Sequence, residues 1–209
     1  VSGNDIEYAA LDYDPATDTL SVGIATYGVA GDVDGDGDGG TTSSWLSGLG
    51  GTDVADFGGT ESFAVAFDLD EDGTLDVITG VNGLGGDTSS FSVNTFSGTP
   101  FAPGFAFGSV ISGHNGGLFA SPSASAPHVE FSITSFSTLA ADAGLTDSED
   151  SFSVYVFMGS FSDAGIGEDF LPGVASFEQI CFDDDGDGYT TCDNDCDDDD
   201  AAVNPDAEE

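Results

Sequence analysis

Between two runs of alternating apolar residues, Phe63–Phe67 and Leu75–Val81, the chain reads Asp68-Leu-Asp70-Glu-Asp72-Gly73-Thr74-Leu-Asp76. Carboxylates packed this closely repel, so a tight connection between the two runs needs something to draw them together. Hard divalent cations do this: calcium takes six to eight oxygens around one point, and a glycine at the sixth place of the loop allows the sharp turn. The spacing therefore predicts a hairpin closed by calcium, with the carboxylates of Asp68, Asp70, Asp72 and Asp76 and the carbonyl of Thr74 as ligands. The competing reading is an acidic hairpin that turns on Asp-Gly chemistry without an ion.

The scheme recurs. Asp32-Val-Asp34-Gly-Asp36-Gly-Asp38 follows a strand expected to end near Ala30. No glutamate stands at its twelfth place, which is Ser43, so Asp53 or Asp56 are the candidates to close it; a flexible Gly-Asp loop is the alternative. Near the C-terminus Asp183, Asp185 and Asp187 alternate ahead of Gly188, with the carbonyl of Tyr189 at the seventh place, and Asp193, Asp195, Asp197 and Asp199 continue two apart. A run of like charge can also be a solvated acidic tail.

Charge balance raises the stakes. The 209 residues include no Lys or Arg and 40 Asp and Glu, a formal net charge of −40. Nucleic acid is excluded as a partner, because phosphate binding rests on Lys and Arg, and anionic membrane surfaces are excluded likewise. Two carboxylates about 5 Å apart repel by about 0.8 kcal/mol at the dielectric of water and by several-fold more where water is displaced. Clustered aspartate loops would spring open unless cations fill them, so bound metal or high salt is expected to be part of the native state.

The body reads as all-β. Ile6 and Tyr8 open an alternating run, and Leu20-Ser-Val22-Gly-Ile24, Phe63–Phe67, Leu75–Val81, Phe91–Val93, Val129–Ile133 and Phe152–Met158 follow. Period-two patterning with β-branched and aromatic residues between Gly, Asp, Asn and Ser clusters marks half-buried strands. With 39 % hydrophobic residues and 17 Phe there is enough to fill a core. The expected fold is an antiparallel β-sandwich, jelly-roll or Ig-like, over residues 1–178, with an Asp-rich, Cys-containing extension over 179–209. One short helix is expected at Ser137–Leu145. Gly98–Pro127, rich in Phe, Gly, Pro and Ser, reads as long loops or irregular strands whose phenylalanines pack on the sandwich.

The tail segments Asp183–Tyr189 (D-x-D-G-D-G-Y), Asp195–Asp198 (D-C-D-D) and Val203–Glu208 (V-N-P-D-A-E) resemble thrombospondin type 3 repeats and the MopE-type metal-binding motif of secreted bacterial proteins. That resemblance implies calcium. The Asp68–Asp76 loop is similar to those on integrin-type propeller blades. Val129–Leu145 and Phe152–Gly173 resemble, in pattern, the last strands of secreted sandwich domains of the DOMON or carbohydrate-module type.

Calcium loops of ordinary affinity are filled outside cells, and the chain starts at Val1 rather than Met, as after removal of a signal segment or at an arbitrary boundary. The expectation is an extracellular or cell-surface protein, and no apolar run is long enough to insert in a membrane. Cys181, Cys192 and Cys196 predict one disulfide with one thiol left over or paired between chains; zinc is the rival, but His114 and His128 lie far away in sequence. Catalysis finds no support: there is no G-x-S-x-G elbow, carboxylate pairs are too abundant to single out, and Gly83-Leu-Gly85-Gly86 reads as a turn with no cation to meet phosphate. His114 and His128 read as ordinary loop or strand-edge residues rather than copper ligands. Two functional expectations remain. One is a structural subunit that self-assembles into a filament, tube or surface layer through calcium and through donation of the apolar-alternating segment Val1–Tyr8 to a neighbour's sheet edge. The other is a calcium-dependent polysaccharide-binding module, with Trp45 beside the Asp32–Asp38 loop as the aromatic contact.

Overall fold

A computed structural model describes residues 3, 5–32, 34–38, 43–49, 61–81, 91–97, 106–120, 125, 128–145, 151–160 and 169–176. Ten strands are formed there: β1 (Ile6–Asp14), β2 (Thr19–Thr26), β3 (Glu61–Asp68), β4 (Val77–Val81), β5 (Phe91–Ser97), β6 (Ala106–Val110), β7 (Asn115–Ala120), β8 (Val129–Thr134), β9 (Ser151–Ser160) and β10 (Asp169–Ser176). Two short helices, α1 (Ser44–Gly48) and α2 (Phe136–Asp142), lie between β2 and β3 and between β8 and β9. The strands form a four-stranded sheet ordered β1-β2-β8-β7 and a six-stranded sheet ordered β10-β9-β3-β4-β5-β6, with every pairing antiparallel. The all-β, two-sheet expectation holds. The Asp-rich extension, its three cysteines and Gly83–Gly86 lie outside the described residues.

Alternation does the folding. Leu20, Val22 and Ile24 of β2 and Val129, Phe131 and Ile133 of β8 point at Phe63, Val65 and Phe67 of β3 and at Phe152, Val154, Val156 and Met158 of β9, all within one buried cluster. Phe131 stacks on Phe63 across the sheets at 5.6 Å and meets Phe91 at 4.8 Å. Fully burying each such side chain contributes about 1.5–3 kcal/mol. The six-stranded sheet is apolar on its other face too, where Ala64, Ala66, Ile78 and Phe157 form a second buried cluster with Phe96, Phe107 and Tyr155 beside it.

The helix predicted at Ser137–Leu145 forms one residue earlier, at Phe136, and ends at Asp142. Its C-terminus is a Schellman turn: the amide of Leu145 donates to the Ala140 carbonyl at 2.9 Å, that of Gly144 donates to Ala141 at 3.0 Å, and Gly144 takes φ +100°. Its start is capped from elsewhere. Asp18, in the β1–β2 turn, accepts the Ser137 amide at 2.8 Å and the Ser137 hydroxyl at 2.9 Å. The crossover between the sheets is thereby tied to the hairpin beneath it.

Gly98–Pro127, expected as long loops or irregular strands, holds two irregular strands among its described residues, β6 and β7, both paired with register shifts that break clean alternation. The N-terminal segment is not lying free from Ile6 onward: Ile6 pairs with Thr26 and Tyr8 with Ala25, while the Tyr27 amide donates to the Asp5 carbonyl at 3.0 Å. Gly3 is buried against the Val29 carbonyl, where any side chain would collide. Donation of Val1–Tyr8 to a neighbour would have to exchange these pairings; Val1, Ser2 and Asn4 lie outside the described residues.

Candidate metal centre

The connection from β3 to β4 is short and anchored at both ends. Leu69 is fully buried, its amide donates to Asp76 Oδ2 at 2.8 Å, and the Asp76 amide donates back to the Phe67 carbonyl at 2.8 Å. Between these clamps the chain climbs a stair of aspartate turns. The Gly73 amide donates to Asp68 Oδ2 at 3.1 Å, that of Asp72 to Asp70 Oδ1 at 3.0 Å, and that of Thr74 to Asp72 Oδ1 at 2.7 Å. Asp68, Asp70 and Asp76 each bring a carboxylate oxygen within 4.8 Å of the others. Oxygens sharing one calcium at about 2.4 Å can be no more than about 4.8 Å apart, so this triad could hold a metal ion.

Asp68 is the decisive member. It is 5 % exposed, and its Oδ1 has no hydrogen-bond partner. A buried, ionised oxygen without a partner is costly. Burial pushes the carboxyls of Asp68 and Asp76 above the ordinary carboxylate value; amide hydrogen bonds oppose that shift, and the neighbouring charges of Asp70 and Asp72 add to it. At about 4.8 Å each pair of charges repels by about 0.9 kcal/mol at the dielectric of water and by about 3.5 kcal/mol at an effective value near 20. Asp72 stands outside the triad, with Oδ1 turned to its own loop.

The loop after β2 follows the same stair. The Gly37 amide donates to Asp32 Oδ2 at 2.7 Å, that of Asp36 to Asp34 Oδ1 at 3.2 Å, and that of Asp38 to Asp36 Oδ1 at 2.8 Å. Asp32, Asp34 and Asp36 form a second triad of converging oxygens that could hold a metal ion, with exposed Asp38 outside it. Asp32 is 1 % exposed, but its Oδ1 already accepts the Gly35 amide at 2.6 Å. Ser43, at the twelfth place, donates its amide to Asp34 Oδ2 at 2.9 Å. The side chain and amide of Ser43 hold the Asp34 carboxyl below its ordinary value. Asp53 and Asp56 lie outside the described residues, as do Asp183, Asp185, Asp187, Tyr189, Asp193, Asp195, Asp197 and Asp199.

Sequence reasoning passed over the surroundings of the first loop. An added Cβ at Gly144 would come within 3.0 Å of Asp70 Cβ and 3.3 Å of its Oδ2, so the helix end packs directly on a triad member. The Ser151 hydroxyl donates to Glu71 Oε1 at 3.1 Å, tying the loop to β9. The readable signal was the Gly-Leu pair that ends α2; nothing in the sequence placed it against Asp70. The histidines are occupied structurally: His114 Nδ1 lies 3.0 Å from the Thr134 carbonyl, and His128 Nδ1 accepts the Thr26 amide at 3.3 Å. Trp45 sits in α1, 59 % exposed.

No family model matches the chain, and neither do any curated proteins or solved structures. The case for function therefore rests on the two triads.

Proposed function

We propose that this chain is a calcium-stabilised structural protein of the cell exterior, a self-assembling subunit whose ions are parts of the fold. The observation that carries the metal is the buried, unpartnered Oδ1 of Asp68, on a carboxylate that converges with two more. Oxygen donors without any nitrogen or sulfur favour a hard cation, and three carboxylates with room for carbonyl and water oxygens suit calcium better than the stricter octahedron of magnesium. The charge makes association switchable: copies at −40 repel until cations neutralise them, so calcium would control both folding and association.

Calorimetry of the protein before and after chelation tests this reading. The expected result is a drop in melting temperature of about 20 °C or more, restored by calcium, since a ligand at a thousand times its dissociation constant adds about 4 kcal/mol per site. An unchanged melting temperature and no calcium heat by titration would overturn it. Exposed Trp45, two residues past Ser43, whose amide donates to Asp34, supports a second reading as a calcium-dependent polysaccharide module. Glycan binding by a monomer, lost on Trp45→Ala, would favour it.

A further inference from the structure

Residues 88–129 contain no Asp, Glu, Lys or Arg, so all 40 acidic residues lie elsewhere in the chain. The fold gathers the described strands of that stretch on one flank. β5, β6 and β7 all fall within it; β6 ends the six-stranded sheet, β7 ends the four-stranded sheet, and β7 lies against β5. The opposite flank is acidic and closed. There β1 carries Glu7, Asp12 and Asp14, β10 carries Asp169 and Pro172, and the Ile6 amide donates to Asp169 Oδ2 at 2.7 Å across the gap between sheets.

Sheet edges are ordinarily blunted by charge, proline or bulges. The acidic flank uses the first two. The charge-free flank uses bulges: β6 advances three residues while β5 advances two between the pairs Asn94–Val110 and Phe96–Phe107, and β7 shifts twice against β8. A bulged ladder does not accept an added strand in continuous register, but it leaves side chains on offer. Val110 is 67 % exposed, Ser109 is exposed, and Phe107 and Ile111 are half-buried.

We propose that this charge-free flank is where a second copy of the chain docks, side chain against side chain. Two copies of a −40 molecule repel wherever carboxylates face each other within a Debye length, about 8 Å at physiological ionic strength, and the described strands β5, β6 and β7 carry none. A cationic partner would seek the acidic surface instead. Self-contact through one patch gives a closed twofold dimer, and calcium elsewhere on the surface extends it. The inference rests on the self-assembly reading above and names its surface.

The test is sedimentation of the full chain in saturating calcium, comparing wild type with Val110→Asp and with Val174→Asp, an equally exposed valine on the acidic flank (71 %). Val110→Asp is expected to weaken self-association by about tenfold or more, since like charges juxtaposed in an interface cost several kcal/mol; Val174→Asp leaves it unchanged. Matching melting temperatures in calcium show that both variants fold. If association survives Val110→Asp, or falls equally with Val174→Asp, the flank assignment is overturned while self-assembly stands. A wild type that stays monomeric at every concentration and calcium level overturns both. Binding of a foreign protein or neutral glycan that depends on Val110, without self-association, assigns the flank to another partner and overturns the proposal.

Discussion

In both aspartate loops the amide at the sixth position donates to the first aspartate, and the later aspartates each accept an amide two residues on. The fourth position separates them. Gly35 stands there in the Asp32 loop and turns its amide onto Asp32 Oδ1; Glu71 stands there in the Asp68 loop, and Asp68 Oδ1 is left without a donor. Asp32 is thus a buried carboxylate with both oxygens already met by its own backbone, and Asp68 is one with an oxygen left over. Identical spacing therefore yields one loop whose first carboxylate is satisfied by amides and another whose first carboxylate keeps an oxygen where a cation could bind.

The sharpest way to break this contrast is to neutralise the first aspartate of each loop without changing its size. Asp68→Asn is expected to lower calcium affinity at its loop by about 100-fold, roughly 2.7 kcal/mol. In chelator the same change raises stability, by about 1 kcal/mol, because it removes a buried charge with an unpartnered oxygen. Asp32→Asn is expected to destabilise by about 1–3 kcal/mol with or without calcium, since an amide NH2 would face a backbone N–H that the carboxylate accepted. Denaturant titrations in calcium and in chelator give all four values. If both variants respond alike, the two loops are electrostatically equivalent and the difference at the fourth position is idle.

A smaller effect, of opposite sign at the two loops, is expected from pH. Burial raises the Asp76 carboxyl above its ordinary value of 3.8, so the cation-free folded state binds that proton more readily than the unfolded chain. Its contribution is fully present below 3.8 and is lost as pH rises through the raised folded value. Asp34 is shifted down from 3.8, so its contribution is present above 3.8 and is lost as pH falls through its lower folded value. In chelator, Asp76→Asn should flatten the fall in stability as pH rises above 3.8, while Asp34→Asn should flatten the loss as pH falls below it. Calcium should abolish the first slope by keeping Asp76 ionised. Parallel pH profiles for the wild type and both variants would remove this distinction between the loops.

Much of the fold was legible because its signal is local. Phe63-Ala-Val-Ala-Phe67 alternates large and small, so one reading gives both the strand and its two faces. α2 was placed less well: the expected helix ran to Leu145, through the turn that ends it at Asp142, and it starts one residue earlier, at Phe136, where Asp18 of a different hairpin caps it. β6 and β7 were blurred because their bulges shift side chains from face to face within a single strand. At the candidate centre the spacing picked out Asp68, Asp70 and Asp76, but it also counted Asp72, which stands outside the triad. It could not tell a satisfied Asp32 from an unsatisfied Asp68, because that depends on where one backbone amide points and on which strand buries the loop.

The contact between Gly144 and Asp70 gives the finest test of how the Asp68 loop is held. Asp70 can turn toward the triad because the helix end beside it has no side chain. Gly144→Ala carries its own strain at φ +100°, about 1 kcal/mol, so loss of stability alone proves nothing. Calcium affinity separates the roles. Gly144→Ala should weaken binding at this loop by several-fold, roughly 1 kcal/mol, with no change at the Asp32 loop, and it should have no further effect once Asp70 is already Ala. If Gly144→Ala weakens binding equally in both backgrounds, the helix end acts on the loop by general loosening rather than through the Asp70 carboxylate. If affinity is untouched in either background, Asp70 does not depend on the space that Gly144 leaves.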